Sequence, residues 1–349
     1  MDCNTLQVIQ GSILTFETIT RLYESPIPPS DITTNSTFEF NDYLSDGLKI
    51  DDSNTVEVYF SKDNINYKKI INFNKVIIPY PEIGSNLGYY LGVIIPISEI
   101  KFYPIFIKVS FSTTVYDIDK LLSTNATTQY PTLNNTATFY AQANPPDSPL
   151  INSTNVTLSS IPIKQYSPEV SGYSITICPS ENDGKFEAKL CLNTICGEYK
   201  NGQYVLNITA PDGISFYEDA TSTPPAVIKA YTGCCCTSNP IMINTIQPVP
   251  LVDNTKTAII TIKHSEIKES QKNDTNDSCN NNISIYIPCK IENTTTACTK
   301  DYLIITGSIE FQDIIDPNIP ITLVKLKNFV LYINIDCGNV IGIGKTILC

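Results

Sequence analysis

The sequence predicts an all-β protein: two or three antiparallel β-sandwich-like domains with few short helices. Three observations carry this. Short runs rich in Ile, Val, Thr, Tyr and Phe recur along the chain, and branched or aromatic side chains pack well on a pleated surface. Many of these runs alternate apolar with polar residues, the period of a strand with one buried face. Clusters of Pro, Asn, Asp, Ser and Gly separate them at short intervals, as in sandwiches and related antiparallel folds.

The first part of the chain shows the pattern clearly. In "TVEVYFSKDNINYKKI" Val56, Val58 and Phe60 share a face, "SKDN" supplies a turn, and a second strand returns through Tyr67. That is a hairpin signal. In "YPIFIKVSF" Ile105, Ile107, Val109 and Phe111 share a face. Residues 117–123, "DIDKLLS", are at most a short helix. The middle of the chain offers three short strands in "SGYSITICP", "EAKLCLNTICGEY" and "GQYVLNITAP". The last hundred residues hold "TAIITIKH", "NISIYIPCKI", "DYLIITGSIEF", "IPITLVKLKNFVLYINIDC" and "VIGIGKTI", divided by turn-rich segments. The run "ESQKNDTNDSCNNN" at 269–282 reads as an exposed polar loop.

At 349 residues the chain is long enough for two or three domains and a sizeable core. Cysteine distribution marks a boundary. Residues 4–177 contain none, whereas eleven of the twelve cysteines follow. The Pro-, Ser- and Asn-rich stretch 142–172 is the candidate linker, with a weaker break at 237–256. The expected domains are a cysteine-poor β domain at 1–150, a cysteine-rich β domain at 165–240 and a C-terminal β domain at 250–349. The last two are candidates for a single unit.

Charge narrows function. The net charge is −12 and the sequence pI about 4.6. An acidic chain is repelled by nucleic acid and by anionic lipid. Arg21 is the only arginine, so the planar fork that reads bases and phosphates is nearly absent. No apolar run reaches the roughly 18 residues that suggest a spanning helix. The opening "MDCNTLQVIQGSILTF" lacks a basic start, a continuous apolar stretch and a small-residue cleavage site, so no signal peptide is expected.

Catalytic and cofactor signals are weak. "GNVIGIGKT" at 338–346 approaches a phosphate loop, but five residues separate Gly338 from Gly344 where four are needed, Asn339 replaces a glycine, and no helix pattern follows. His264 is the only histidine; it ends a strand-like run without a nucleophile signature and reads as a solvated surface residue. The acidic pairs Asp51–Asp52 and Glu266 with Glu269 are ordinary for so acidic a chain. Cys191 and Cys196 enclose four residues, the loosest spacing of a zinc knuckle, and no second knuckle accompanies them. The loop around Asp274 and Asp277 lacks the glycine and closing Glu of a calcium hand. Sequons at Asn35, Asn125, Asn134, Asn152, Asn155, Asn207, Asn273, Asn276, Asn282 and Asn293 arise readily in a chain this rich in Asn, Ser and Thr. The expectation is therefore no enzyme, no cofactor and no metal.

The cysteines remain. Cys3, Cys178, Cys191, Cys196, Cys234, Cys235, Cys236, Cys279, Cys289, Cys298, Cys337 and Cys349 are all disulfide candidates. In the triplet "GCCCT" at 233–237 an extended chain sends Cys234 and Cys236 one way and Cys235 the other. Adjacent cysteines reach the disulfide spacing of roughly 4.4–6.8 Å between Cα atoms only with strain. With Cys3 and Cys349 near the two ends, the pattern fits bonds between subunits; pairing within one chain is the alternative.

The triplet at 233–237, "MDCN" at 1–4 and "ILC" at 347–349 together resemble the cysteine-rich self-assembling proteins of bacterial spore outer layers, the crystalline layer of the exosporium and related appendages. The resemblance covers pattern and composition. It implies a homo-oligomeric lattice or ring locked by disulfides on a spore surface, in the exosporium or outer coat, with the subunit made in the mother cell without a signal peptide. This chain departs from the appendage subunits in length and in its cysteine-free first domain, which favours a sheet over a filament. The alternatives are a virion or phage capsid or tail protein, and a cell-surface adhesin or carbohydrate-binding module.

Overall fold

The computed structural model describes residues 5–50, 56–79, 87–100, 102–123, 131–133, 135–157, 161–172, 175–177, 184–223, 225–233, 241–245, 255–272, 282–292, 302–316 and 319–335. They form open sheets with two short α-helices, dividing into two units. Unit 1 spans Met1–Gln165 with Ile195–Glu198; unit 2 spans Tyr166–Thr194 with Tyr199–Cys349.

In unit 1 the elements are β1 (Leu6–Val8), β2 (Ile13–Leu22), β3 (Thr37–Ser45), β4 (Leu48–Lys49), β5 (Glu57–Ser61), β6 (Lys68–Ile70), β7 (Asn74–Pro79), β8 (Leu87–Pro96), β9 (Ile105–Val115), α1 (Ile118–Ser123), β10 (Thr132–Leu133), β11 (Thr136–Gln142), β12 (Ile151–Thr157) and β13 (Ile161–Gln165). One sheet runs β12-β11-β3-β8-β7. A second runs β2-β9-β5-β6, with β4 also on β9. A small third sheet runs β1-β13-β10. The expected hairpin is β5–β6, paired Val58 to Ile70. Alternation sets the layers. Leu14, Phe16 and Leu22 of β2 and Ile105, Ile107, Val109 and Phe111 of β9 turn inward. They meet Phe38 and Phe40 of β3 and Phe139 of β11 in one apolar cluster. Phe111 stacks on Phe16 at 5.4 Å and reaches Phe40 of the other sheet at 6.4 Å; Phe40 meets Phe139 at 5.0 Å. Each such ring contributes roughly 1.5–3 kcal/mol through burial.

Unit 1 runs past residue 150 because β12 pairs with β11, and β13 lies parallel to β1. It also takes Ile195–Glu198 from later in the chain. Ile13 and Glu198 exchange backbone hydrogen bonds of 2.8 and 2.9 Å, and the Cys196 N–H donates to Gln7 O at 2.7 Å. Gly197 has φ +78°, and a Cβ there would lie 2.3 Å from Ile13 O, so the close approach requires glycine.

In unit 2 the elements are β14 (Val170–Gly172), β15 (Ile175–Ile177), β16 (Lys185–Asn193), β17 (Gly202–Thr209), β18 (Ile214–Phe216), β19 (Lys229–Thr232), β20 (Met242–Ile243), β21 (Thr257–Lys263), α2 (His264–Lys272), β22 (Asn282–Ile291), β23 (Tyr302–Asp313) and β24 (Ile321–Ile335). One sheet runs β14-β16-β22-β19-β20, with β18 on β22; the other runs β15-β24-β23-β17-β21. Most of the stretches at 165–240 and 250–349 fall together here. Pairing is antiparallel except β1 with β13 and β15 with β24.

Two expectations are corrected. Residues 269–272 belong to α2 rather than to a loop. His264 is not solvated: it opens α2 and is fully buried.

Candidate functional site

The expected chemistry is located first. Cys191 is disulfide-bonded; its partner lies outside the described residues, as do the other eight of the nine cysteines Cys3, Cys178, Cys234, Cys235, Cys236, Cys279, Cys298, Cys337 and Cys349. Cys196 and Cys289 are both buried with no exposed surface. Cys289 is a free thiol whose Sγ–H donates to Ile287 O at 3.3 Å, and burial pushes its pKa well up. Neither sulfur can meet a second chain while the strands around it are folded, and a bond made by Cys191 within this chain is a staple. Asp51, Asp52, Asp274, Asp277 and the 338–346 stretch lie outside the described residues. Glu266 and Glu269 both lie on α2; Glu269 is exposed and Glu266 half-buried. Among the described residues no group of three or more His, Cys, Asp or Glu could hold a metal ion, and no helix is long and apolar enough to cross a membrane.

The His264 ring instead completes an aromatic cluster in unit 2. Its Nδ1 lies 3.1 Å from the Tyr204 hydroxyl, and its ring lies 6.0 Å from Phe311. Tyr166 sits edge-on to Tyr204 and to Phe311, and burial raises its phenol well above the ordinary range. This is core packing with satisfied polar ends, typical of buried tyrosine.

A different place has the character of a binding surface: the outward face of the β2-β9-β5-β6 sheet. Register brings three rows together. Glu17, Ser110 and Glu57 lie side by side across β2, β9 and β5; Ile19, Lys108, Tyr59 and Lys69 form the next row; Arg21 and Phe106 the third. The Arg21 guanidinium lies 4.4 Å from the Tyr23 ring centre and 5.1 Å from that of Phe106. Lys108 Nζ lies 5.1 Å from the Tyr59 ring, 4.8 Å from that of Tyr67 and 3.3 Å from Glu17 Oε1. Cations over aromatic faces are attracted by the ring quadrupole, about 0.5–1 kcal/mol each at exposed sites. Exposed ion pairs such as Lys108–Glu17 add about 0–1 kcal/mol, so their effect is to hold geometry.

The loop of the β5–β6 hairpin places Tyr67. Asp63 accepts from the Asn66 backbone N–H (2.8 Å to Oδ1) and side-chain amide (2.6 Å to Oδ2), then from Ser61 Oγ (2.7 Å) and the Ile65 N–H (3.0 Å), which holds its carboxyl well below the usual range. Asn64 takes φ 62°, a left-handed position that asparagine tolerates, and its Oδ1 accepts from the Tyr67 hydroxyl. Glu57 accepts from Lys69 Nζ at 2.7 Å and from the Tyr59 hydroxyl, which lowers its pKa and raises that of Tyr59. The face thus presents preset rings flanked by carboxylates. Sequence reading passed over it because its residues come from four strands; only the single arginine stood out.

Beneath the other sheet lies an ionisable group in the core. Asp42, on the inward side of β3, is fully buried, and Asn135, just before β11, is 7% exposed. Asn135 Nδ2 donates to Asp42 Oδ2 at 3.0 Å. Burial pushes the Asp42 carboxyl up to about 7, against a smaller lowering by Asn135.

No family model matches the chain, and no curated protein does. Solved structures with partial likeness include the C-terminal domain of the AgI/II polypeptide BspA of Streptococcus agalactiae, 10% identical with a TM-score of 0.32 over 95% of this chain and 96% of that one. The group B streptococcus pilus 2b backbone protein is 9% identical at TM-score 0.30, covering 96% and 94%. BcpA, the major pilin subunit of Bacillus cereus, is 10% identical at TM-score 0.30, covering 84% and 69%. At these scores no assignment is taken from them.

Proposed function

We propose that the chain is a non-enzymatic structural or adhesive subunit of a cell surface, and that unit 1 binds through the outward face of its β2-β9-β5-β6 sheet. The observation that carries this is the pairing of Arg21 with Tyr23 and Phe106 beside Lys108 with Tyr59 and Tyr67. Tyrosine and arginine are the residue types that dominate binding energy at interfaces. Flat rings beside carboxylates also suit the apolar face and hydroxyl rim of a sugar. A glycan array and a panel of host-surface proteins, probed with the intact chain and with Arg21→Ala and Tyr59→Ala, test it. Binding lost in both variants with stability unchanged is the expected result; binding that ignores both would overturn it.

A second reading keeps the covalent lattice of a spore surface. It rests on the sequence triplet Cys234–Cys236 with Cys3 and Cys349. β units would tile by repeated contacts, and disulfides would make the assembly slow to dissolve. Imaging of the purified protein with and without dithiothreitol separates the two, because a lattice of this kind dissolves on reduction.

A further inference from the structure

The Asp42–Asn135 pair has a polar count that does not close with an ionised carboxylate. Two of its four side-chain polar atoms, Asn135 Nδ2 and Asp42 Oδ2, bond to each other at 3.0 Å. The remaining two, Asp42 Oδ1 and Asn135 Oδ1, are buried and accept from nothing. Both are oxygens, so neither can donate to the other. Rotating the amide adds no donor group, so the shortfall stays. Buried acceptors without donors are uncommon and costly, and here two occur in one contact. A single proton on the carboxyl removes both deficits, because it turns Asp42 Oδ1 into a donor.

We propose that Asp42 is protonated in the folded protein and donates its Oδ1 proton to Asn135 Oδ1, closing a two-bond carboxylic acid–carboxamide ring whose loss at higher pH loosens unit 1. The proton comes from water and returns to it. Among the described residues packed against it, none supplies another charge. Opposite Asp42, β8 presents Leu91 and β11 presents Ala137. On β3 the flanking inward residues are Phe40 and Leu44, and β4 adds Leu48. The titratable groups of these strands, Glu39, Tyr43, Lys49, Tyr90 and Tyr140, alternate to the other side of their strands. Tyr89 shares the inward side of β8, but only burial and Asn135 act on Asp42. On the inward side of β2, β9, β5 and β6 the only ionisable residue is Lys68, which is exposed on the edge strand β6.

The sign follows from linkage. The folded state holds this proton up to about pH 7, and the unfolded chain, at the ordinary 3.8, releases it earlier. Between those values the folded state binds more protons, so stability falls as pH rises, and above 7 the loss is complete. Over that window the unfolding equilibrium constant of unit 1 rises by up to about a thousandfold from this group alone.

Two measurements on the full chain test this. Carbon-13 NMR of the Asp42 side-chain carboxyl in the unaltered protein is expected to show titration near neutrality; a carboxyl already ionised at pH 5 overturns the proposal. Hydrogen-exchange protection of β3 and β11, corrected for intrinsic rate, is expected to fall between pH 4.5 and 8 in the unaltered protein. In Asp42→Asn, which stays neutral, that part of the pH dependence is expected to vanish. An unchanged pH profile in a folded Asp42→Asn protein also overturns it.

Discussion

Phe111 has the central place among single side chains of unit 1. It is 1% exposed, stacks on Phe16 within its own sheet and reaches Phe40 across the core. Truncation removes apolar area and leaves a cavity that two stiff sheets cannot collapse around. Phe111→Ala is expected to destabilise unit 1 by about 3–5 kcal/mol, measured as a shift of the urea midpoint of β9 and β3 protection. A loss under 1 kcal/mol would mean that the sheets repack. Residue Phe111 was legible from alternation alone, since "YPIFIKVSF" puts it on one face with Ile105, Ile107 and Val109. Asp42 was equally legible and went unread: in "TFEFNDYLS" it takes the place of an apolar residue in the series Phe38, Phe40, Asp42, Leu44. His264 was misread because its neighbours are polar. The available signal was Ile267, three residues on and also fully buried, which places both on one face of a helix.

At the scale of elements, strand pattern carried most of the information and long-range insertion carried none. The runs at 257–263, 282–291, 302–313 and 321–335 are strands as alternation predicted. Nothing local marks Ile195–Glu198 as part of unit 1, because its partners Gln7 and Ile13 lie about 190 residues earlier and pairing of that range leaves no periodic trace. The glycine is the one clue. Gly197→Ala forces a left-handed backbone on alanine and drives its Cβ into Ile13 O. The expected outcome is loss of the Ile13–Glu198 bridge, read as faster exchange of the Ile13 and Glu198 amides, while β22 and β23 keep their protection. Unchanged exchange at those two amides would show that the segment tolerates a side chain. The same distance problem hid the binding face. Its rows join residues of β2, β5, β6 and β9, and only register shows that Lys108 lies between Ile19 and Tyr59, one row from Glu17.

The two units differ in how they should answer acid, because among the described residues only unit 1 has a carboxyl raised by burial. In unit 1, Asp42 is raised by burial, so its contribution grows as pH falls from 7 towards 3.8. Glu57 of the same unit is lowered, by Lys69 first and Tyr59 next, and Asp63 by its hydrogen bonds, Asn66 first, but both sit at the surface, where solvent screens their share. In unit 2 the shifted carboxyls among the described residues are Glu310 and Asp219. Glu310 is lowered by Lys325 first, then by Gln312. Asp219 is lowered by its hydrogen bonds from Thr221. A lowered folded pKa gives stability that is present above the unfolded value, 4.5 for Glu310, and is lost as pH falls through the folded one. Between pH 7 and 5, protection of β3 and β11 should therefore rise while that of β17 and β23 stays level. Below pH 4.5 the second pair should lose protection. Hydrogen exchange followed by mass spectrometry resolves both sets of strands in one experiment. Parallel profiles through neutrality would show that the Asp42 proton does not govern unit 1. A drop confined to β17 and β23 in acid would tie acid sensitivity to the Glu310 network on β23, independent of any cysteine chemistry.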